Sequence, residues 1–397
     1  MKKISLGFYI EFGSSFTGGP RNLYNLVREL DRDRFEPIVV TNMHSPLTEA
    51  LVKLDVEPII LEQPASIGSD DGLALRGGIG AKLKAWRELR RYNQRIQKVF
   101  ELHNVRAIWT RNIKGVLLTQ RAARAMNVPM VWDIGMEKTS RGVMWALHVL
   151  GFRRAARVVT EGDFVARSIF TPWQLKTFKD KLVSNPTGVP SDRVDRIARE
   201  SGHGPPPYDP FVVLNVATIN PRKNQLMLLR AVAALASKHP NLRVWFAGPV
   251  TDEVYDQEIQ AYVAENQIED RLSFLGWQDD VGSLLHKAHL FALTSHIEGV
   301  AQAVLEAVHA HTPILSTACG GIPEVVRDGE TGRLVPIDDL EAFTQALDDC
   351  LSNPERLAGY ADAAKKLVHS RFMADLWYER YEKLFEELCG LDQAGVA

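Results

Sequence analysis

The chain has 397 residues, 45% of them hydrophobic and 24% charged, which suits a globular protein of two domains. It contains no run of about 18 apolar residues, and this argues against a membrane-spanning helix. Its opening, MKKISLGFYIEFGSS, has a short apolar stretch followed by Glu11 and resembles a buried strand more than a signal peptide. The cysteines at 319, 350 and 389 are scattered without metal-site spacing, which indicates a reducing compartment and no disulfide framework.

The net charge of −2 is divided unevenly along the chain. Residues 1–200 hold 32 Lys and Arg against 21 Asp and Glu, a balance of +11, and the remainder has a balance of −13. This asymmetry has two explanations, an anionic partner for the first half or an ordinary solvated face. We do not expect nucleic acid as the partner, because no recognised binding module accompanies the charge.

The first half alternates apolar strands with helices. A strand over Lys3–Ile10 leads through the Gly-rich SSFTGGP into the amphipathic RNLYNLVREL, as in the opening of a Rossmann-like domain. The pair Gly18 and Gly19 lacks the full G-x-G-x-x-G spacing, and a tight turn explains it equally well. Further strands are predicted at Glu36–Val40, Val56–Leu61, Arg106–Thr110 and Met130–Ile134.

Two basic helices stand out in this half. The first, AKLKAWRELRRYNQRIQKVF at 81–100, opens a region (81–124) with 12 Lys and Arg against two Asp and Glu. Its predicted buried stripe consists of Leu83, Trp86, Leu89, Ile96 and Val99. The second is RGVMWALHVLGFRRAAR at 141–157, in which the exposure of Trp145 and Phe152 is left open. Both helices are compatible with an anionic membrane surface and equally with ordinary packing on a sheet.

Polar residues follow two of the predicted strands. Arg111 lies in WTRN, and Asp133 and Glu137 lie in WDIGME. Ligands of open α/β sheets bind outside the carboxyl ends of the strands, so these three residues are candidates for contact with a ligand. The Gly-rich segment 63–80 is predicted to be a mobile loop near that ligand.

The second half begins after the Pro- and Gly-rich segment SGHGPPPYDP, and we place a domain boundary at about 190–210. A continuously apolar strand, FVVLNVAT, is followed by alternating helices and strands typical of a doubly wound parallel sheet. The strands after it are predicted at Leu242–Ala247, Leu272–Leu275 and Leu290–Leu293. Asp279 is the predicted N-cap of the next helix, and a last amphipathic helix is predicted over Phe372–Cys389.

The most informative stretch is 294–336, TSHIEGVAQAVLEAVHAHTPILSTACGGIPEVVRDGETGRLVP. A helix that opens with Gly299, Val300 and Ala301 presents unshielded N–H groups and a partial positive charge, which favour phosphate. Glu306 lies two turns along this helix, where a carboxylate can accept two vicinal hydroxyls, and Glu298 lies just before it. Together these features outline a site for a nucleotide-sugar.

The pair Glu298 and Glu306 resembles the E-x7-E signature of retaining glycosyltransferases of the GT-B fold. Its context, with GG-x-PE and DG-x-TG, is similar to glycosyltransferase group 1, or family 4, and is far more specific than the bare pair. The likeness covers the second half well and the first half loosely. It implies two Rossmann-like doubly wound α/β domains facing a central cleft, with an acceptor-binding domain at 1–190, a nucleotide-sugar-binding domain at 191–371 and a final helix over 372–397 that crosses back.

The resemblance also implies roles for single residues. It makes Arg111, Asp133 and Glu137, at the strand ends of the acceptor-binding domain, acceptor-side candidates, and it places the loop 63–80 near the acceptor. Lys223 occupies the Lys position of the family's G-R-L-x-x-x-K pattern and would meet the diphosphate; a solvated first-turn lysine is the alternative. Ala217 and Thr218 replace the Gly and Arg of that pattern, and Arg222 could supply the missing cation. The remaining donor-side assignments are Glu306 on the ribose, Glu298 on the donor sugar, Gly18 and Gly19 across from the phosphates, and Trp277 beside the base, where a core or rim aromatic is equally possible.

These observations predict a retaining, metal-independent glycosyltransferase with a UDP- or GDP-type sugar donor and no further cofactor. A glycan or lipid-linked acceptor of cell-surface polysaccharide synthesis is expected, in the cytoplasm or at the inner face of an anionic membrane. Many family members carry a His where Gly135 stands. This departure and Thr218 leave open a nucleotide-sugar-binding protein with impaired catalysis, and a GT-B epimerase is the other alternative.

Overall fold

The computed structural model describes residues 3–11, 19–64, 67, 79–135, 137–189, 208–299 and 302–391. The chain divides into two compact units. Unit 1 comprises Met1–Glu161, Ala166–Asn185 and Tyr378–Ala397, and unit 2 comprises Gly162–Val165 and Pro186–Trp377. The predicted boundary at 190–210 falls mostly outside the described residues.

Unit 1 contains a seven-stranded sheet in which every pairing is parallel, in the order β3-β2-β1-β4-β5-β6-β7. Its strands are β1 (Ile4–Ile10), β2 (Phe35–Thr41), β3 (Ile59–Ile60), β4 (Ala107–Arg111), β5 (Met130–Ile134), β6 (Arg157–Thr160) and β7 (Leu182–Ser184). The central strands bury almost every side chain, as expected for a parallel sheet covered by helices on both faces. The strand predicted over Val56–Leu61 is reduced to the two residues of β3, which is an edge strand.

Seven helices are described before residue 208. They are α1 (Gly19–Glu29), α2 (Pro46–Val52), α3 (Ile79–Leu102), α4 (Asn112–Met126), α5 (Val143–Arg154), α6 (Asp163–Ile169) and α7 (Pro172–Thr177). Helix α3 packs against α4, and α4 packs against α5. These three helices therefore form one layer over the sheet.

The predicted buried stripe of α3 is wrong at its beginning. The hydrophobic side chains that α3 buries are Ala85, Tyr92, Ile96 and Phe100. Their spacing follows the helical period, and it turns Leu83 and Trp86 outward, where both are exposed. In α5, Phe152 is buried and Trp145 is exposed, which answers the question that the sequence left open.

Unit 2 contains a six-stranded parallel sheet in the order β10-β9-β8-β11-β12-β13. Its strands are β8 (Phe211–Val216), β9 (Leu242–Ala247), β10 (Leu272–Gly276), β11 (Leu290–Leu293), β12 (Ile314–Thr317) and β13 (Arg333–Val335). Its helices are α8 (Gln225–Leu235), α9 (Glu253–Asn266), α10 (Val281–Lys287), α11 (Gln302–His309), α12 (Leu340–Ser352) and α13 (Leu357–Arg371). The N-cap of α10 is Asp280, whose side chain accepts a hydrogen bond from Ser283 N, so the prediction of Asp279 as N-cap is wrong by one residue.

The order of strands reverses between β8 and β11 in unit 2 and between β1 and β4 in unit 1. At such a point the loops after two neighbouring strands run to opposite sides, and a crevice opens at the carboxyl edge of the sheet. Both doubly wound α/β sheets that the sequence predicts are confirmed. None of the helices in the described ranges is long and apolar enough to cross a bilayer.

The last helix, α14 (Ala374–Cys389), is bound to unit 1 through its residues from Tyr378 onward. The Tyr381 hydroxyl donates to Asp133 Oδ1 at 2.7 Å, and Asp31 N donates to Glu382 Oε1 at 2.7 Å. Phe385 packs edge-on against Phe8, with ring centroids 6.0 Å apart. Burial first, and then the Asp133 charge, raise the pKa of Tyr381 well above its usual range.

Replacing Tyr381 with phenylalanine is expected to lower the free energy of unfolding of unit 1 by about 1.5–3 kcal/mol, since a buried carboxylate loses a hydrogen-bond donor. Urea denaturation measures this change. The half-buried Tyr360 of unit 2 is the matched control, and its phenylalanine variant is expected to differ from the native protein by less than about 0.5 kcal/mol. Equal effects of the two substitutions would contradict the assigned role of the Tyr381 hydroxyl.

Candidate functional site

The candidate donor site lies at the point where the strand order of unit 2 reverses. The loop after β8 ends in a 3₁₀ turn, Pro221–Lys223, and Asn224 in the left-handed conformation (φ 50°) joins this turn to α8. The loop after β11 carries residues 294–299. Because β8 and β11 are hydrogen-bonded neighbours, the two loops begin next to each other at the carboxyl edge of the sheet.

Lys223 and Glu298 meet across these loops. Lys223 Nζ lies 2.5 Å from Glu298 Oε1, and the Ser295 hydroxyl donates to the same oxygen at 2.6 Å. Only 13% of the Lys223 side chain and 8% of the Glu298 side chain are exposed. The alternative that Lys223 is a solvated lysine is therefore wrong.

Arg222 adds a second cation at the rim of this pair. Its Nη1 lies 3.8 Å from Glu298 Oε2 and donates to the Ile297 carbonyl at 3.0 Å. About half of the Arg222 side chain remains exposed. The structure thus brings Arg222, Lys223 and Glu298 together, although 75 residues of chain separate the lysine from the glutamate.

Backbone contacts hold the two loops in place. Thr294 Oγ1 donates to the Lys223 carbonyl at 3.0 Å, and Thr317 Oγ1 donates to the Ser295 carbonyl at 2.7 Å. His296 N donates to the Arg222 carbonyl at 2.9 Å. These hydrogen bonds fix the backbone of both loops and thereby the relative positions of Lys223 and Glu298.

Three polar side chains beside the pair were missed by sequence reasoning. His296 Nε2 lies 3.0 Å from Asn224 Nδ2 and 2.7 Å from Asp338 Oδ1, which links the loops after β8, β11 and β13. Asp338 has a positive φ of 62°. Isolated polar residues in loops have no periodicity that would have drawn attention to them.

The Gly-Gly turn of the GG-x-PE segment fixes the backbone of Glu298. Gly320 has a φ of +55°, and a Cβ built on it would overlap the Glu298 carbonyl. Gly321 N donates to the Gly299 carbonyl at 2.9 Å. Close approach of two backbones explains why glycine is present at Gly320.

Glu306 is 3% exposed and lies in α11. Val300 and Ala301, predicted to present their amides to phosphate, lie outside the described residues. The Thr218 side chain accepts a hydrogen bond from Asn220 Nδ2 at 2.9 Å. The position of Thr218 is thus set within its own loop.

Trp277 follows β10 at the carboxyl edge of the same sheet. It is 71% exposed, and its Nε1 donates to Asp279 Oδ1 at 2.9 Å. The possibility that Trp277 is a core aromatic is therefore excluded.

The predicted acceptor-side residues of unit 1 form a buried charge network. Arg111 is paired with Asp133 and lies 3.2 Å from Glu161 Oε1. Burial lowers the pKa of Arg111, but the two carboxylates outweigh it and raise the pKa above its usual value. Arg111 and Asp133 thus neutralise each other in the interior of unit 1, and their assignment to the acceptor side stays a prediction.

Glu137 also lies inside unit 1. Its Oε1 accepts hydrogen bonds from Ile113 N at 2.6 Å and from Trp132 Nε1 at 3.3 Å, and its Oε2 lies 3.1 Å from His148 Nε2. The side chain is only 3% exposed. The expectation that Glu137 faces an acceptor is therefore corrected: its carboxylate supports the start of α4.

Steric crowding explains why residue 135 is a glycine. A Cβ at Gly135 would lie 2.8 Å from Arg111 Nε and 3.0 Å from Asn112 Oδ1. The Arg111 guanidinium occupies the space that a larger side chain would enter. The departure from the family's His is thus coupled to the Arg111 network. Gly19 begins α1 and is buried, and Gly18 lies outside the described residues.

A polar cavity of about 460 Å³ opens beside β3 in unit 1. Its lining residues are His44, Ile60, Glu62, Gln63, Pro64 and Arg95. Next to it, Glu11 Oε2 is paired with Lys114 at 2.9 Å, and Glu11 Oε1 accepts from Tyr9 at 3.0 Å. A cavity of this size and polarity suits a sugar ring better than an apolar ligand.

Residues 198–367 match the family model described as glycosyl transferases group 1. This group 1 segment covers 170 of the 397 residues. It contains the β8 and β11 loops, and therefore both Lys223 and Glu298.

Several curated relatives match part of the chain. The chain is 33% identical over 173 residues to the D-inositol 3-phosphate glycosyltransferase of Streptomyces coelicolor, covering 41% of this chain and 38% of that protein. It is 27% identical over 205 residues to the lipopolysaccharide core biosynthesis glycosyltransferase LpsE of Rhizobium meliloti, covering 51% and 57%. The matches thus span about 40–60% of the length of these relatives.

Solved structures extend the likeness beyond the group 1 segment. A glycosyltransferase from Rickettsia africae superposes with a TM-score of 0.78 at 17% identity, covering 98% of this chain and 99% of the other. Anabaena HepE in complex with UDP gives 0.73 at 16% identity, covering 97% and 100%. At these identities the likeness shows the fold, which is the predicted GT-B type.

Proposed function

We propose that this protein is a glycosyltransferase that moves a sugar from a nucleoside-diphosphate sugar to a glycan or lipid-linked acceptor. The observation that carries this proposal is the Lys223–Glu298 pair at the point of strand reversal in unit 2. Departure of a nucleoside diphosphate develops negative charge on its phosphate oxygens. Preorganised cations at that place stabilise the transition state more than the ground state.

In this proposal each donor-site residue has one task. Lys223 meets the diphosphate as a point charge, and the half-exposed Arg222 adds a second cation at the rim. Glu298 orients Lys223 and contacts the donor sugar. Glu306 accepts the ribose hydroxyls, and Trp277, at the edge of the sheet, borders the base.

We also propose retention of anomeric configuration and independence from a metal ion. Retention rests on the E-x7-E resemblance. Independence from metal rests on the two cations beside Glu298, which can offset part of the negative charge of the leaving diphosphate. Within the described ranges, no group of three or more His, Cys, Asp or Glu side chains is arranged to hold a metal ion.

The donor class has support from the structural neighbours. Anabaena HepE was crystallised with UDP and with UDP-glucose, and this supports a UDP-type donor. A GDP-type donor remains within the proposal, since one relative is a GDP-mannose-dependent mannosyltransferase of Mycolicibacterium smegmatis.

The acceptor is proposed to be an intermediate of cell-surface polysaccharide synthesis, bound at the cavity beside β3. One relative named for lipopolysaccharide core biosynthesis, and one structural neighbour that is a lipopolysaccharide outer core galactosyltransferase, support this class. The reducing state implied by the cysteines supports a cytoplasmic location at the inner face of a membrane.

A second candidate is a nucleotide-sugar-binding protein with impaired catalysis. Two observations favour it: Thr218 stands where the family's arginine is expected, and the Arg111 guanidinium occupies the space beside Gly135. Such a protein binds a donor and transfers nothing.

The test measures nucleoside diphosphate release from a panel of UDP-, GDP- and ADP-sugars, with glycan and lipid-linked acceptors, in the presence and absence of EDTA. We expect acceptor-dependent release that EDTA leaves unchanged, and an anomeric proton in the product whose coupling matches that of the donor. Donor binding without release favours the binding protein, and conversion of the donor sugar without an acceptor favours an epimerase. Either result overturns the proposed transfer.

A further inference from the structure

We propose that unit 1 docks on an anionic lipid bilayer through three tryptophans, Trp86, Trp145 and Trp173, and the cations around them. We call this surface the tryptophan edge. The purpose of docking, the delivery of a lipid-linked acceptor, depends on the proposed function. The evidence for docking comes only from the surface of unit 1.

The first part of the edge is the start of α3. Trp86 is 51% exposed, Leu83 beside it is exposed, and the Arg90 guanidinium lies 4.7 Å above the Trp86 ring. The exposed cations of these turns are Lys84, Arg87, Arg90 and Arg91. Exposed aromatic and aliphatic side chains among arginines and lysines are typical of helices that lie in the headgroup region.

The second part is a pair of tryptophans on α5 and α7 whose rings contact each other at a tilt of 37°. Trp145 is 39% exposed and Trp173 is 51% exposed, and their ring centroids are 5.6 Å apart. Gln174 Nε2 donates to the Trp145 carbonyl at 3.3 Å and holds the two helices together. Val143, in the first turn of α5, is exposed as well.

The topology places these parts at the same edge of unit 1. Since every strand of the sheet is parallel, each helix that follows a strand starts at the carboxyl edge. Leu83 and Trp86 lie in the first two turns of α3, and Val143 and Trp145 lie in the first turn of α5. Helix α4 packs between α3 and α5, so the two parts share one face as well as one edge.

The charge of this edge selects an anionic bilayer as the occupant. Residues 79–91, the first half of α3, hold five Lys and Arg against one Glu, and residues 138–145 hold two Lys and Arg and no Asp or Glu. A like-charged copy of the same surface would be repelled. Tryptophan prefers the membrane–water interface because its ring is apolar and its N–H is polar. The cavity beside β3 also lies at the carboxyl edge, so docking would bring a lipid-linked acceptor close to it.

The experiment measures partition of the full chain onto sedimenting vesicles of phosphatidylcholine alone and of phosphatidylcholine with 30% phosphatidylglycerol. We expect binding only to the anionic vesicles, weakening as salt rises from about 50 to 500 mM. Arg87→Gln/Arg91→Gln is expected to lower the partition coefficient about twentyfold, because each cation near the surface contributes roughly a factor of five. Its matched control, Arg356→Gln/Lys366→Gln in unit 2, makes the same charge change and is expected to leave partition within about twofold.

The apolar contribution is tested by Trp145→Ala/Trp173→Ala against Trp277→Ala, which removes an exposed tryptophan of unit 2. We expect at least a tenfold loss in the first and none in the second. If the double variant fails to fold, quenching of native tryptophan fluorescence by brominated lipids decides instead. Three outcomes overturn the inference: no binding to anionic vesicles at low salt, equal losses in variants and controls, or a dimer in solution that the double variant dissociates.

Failure of docking and failure of the proposed function are distinguishable. Calorimetric binding of UDP and GDP without vesicles, and transfer to a detergent-dispersed acceptor, report on the donor site alone. Docking without transfer contradicts the proposed enzyme activity and supports the tryptophan edge. Transfer without docking contradicts the tryptophan edge and supports the proposed enzyme activity.

Discussion

Replacing Lys223 with alanine is expected to lower kcat for sugar transfer by about 10²- to 10³-fold, the loss typical of removing one preorganised group that stabilises developing charge. The ammonium is held 2.5 Å from Glu298 Oε1 in a largely buried position. A flexible lysine on the surface would not hold its ammonium at this position. The substitution also leaves the Glu298 carboxylate without its nearest cation, which repels the diphosphate further. Steady-state kinetics with the preferred donor measure the loss.

The matched control is Lys238→Ala. Lys238 also pairs with a carboxylate, Asp348 Oδ2 at 2.7 Å, but on the exposed surface of unit 2. It is expected to leave kcat within about twofold, since exposed ion pairs contribute little. Arg222→Ala should fall between the two, because Arg222 is half exposed. Comparable kinetics for the Lys223 and Lys238 variants would show that the pair is structural.

The strands of the two sheets were predictable because they are almost continuously apolar. Met130–Ile134, Leu242–Ala247 and Leu290–Leu293 form strands at the bounds read from the sequence. A parallel strand that is covered on both faces has apolar residues throughout, so its first and last residues can be recognised in the sequence. The edge strand β3 fails this rule, and its predicted length was too great.

The outward face of α3 was not predictable in the same way. Several apolar stripes can be drawn through AKLKAWRELRRYNQRIQKVF, and only contact with the layer beneath selects the one through Ala85 and Tyr92. The sequence analysis placed Trp86 on a predicted buried stripe with Leu83 and Leu89. Its exposure is the observation from which the tryptophan edge follows.

Within the donor site, sequence reasoning found the residues that belong to an extended pattern. Glu298 was identified through its forty-residue context, and Lys223 through the Lys position of the family's G-R-L-x-x-x-K pattern. Ser295, which donates to Glu298 Oε1, and the contact of His296 with Asp338 were missed. They depend on which loops become neighbours, and this is decided by the order of strands in the sheet.

Gly320→Ala is expected to lower kcat/KM for transfer by at least about 10²-fold. A Cβ at this position overlaps the Glu298 carbonyl, so the backbone that carries Glu298 must move, and displacements of about 1 Å at a reacting group have losses of this size. The substitution should also lower the free energy of unfolding by more than the roughly 1–2 kcal/mol that a left-handed conformation costs a residue with a Cβ. Kinetics and urea denaturation of the same preparation measure the two effects.

Gly329→Ala separates the backbone conformation from the contact. Gly329 has a φ of +72°, yet nothing lies within 4 Å of a Cβ built on it. Its alanine variant should therefore lose about 1–2 kcal/mol of stability and keep its kcat/KM. If both variants keep their activity, the loop that carries Glu298 tolerates movement, and Glu298 does not need a fixed position for transfer. If only the Gly320 variant loses activity, the Gly-Gly turn serves to hold Glu298 against Lys223, and the glycines of the GG-x-PE segment follow from the chemistry of the site.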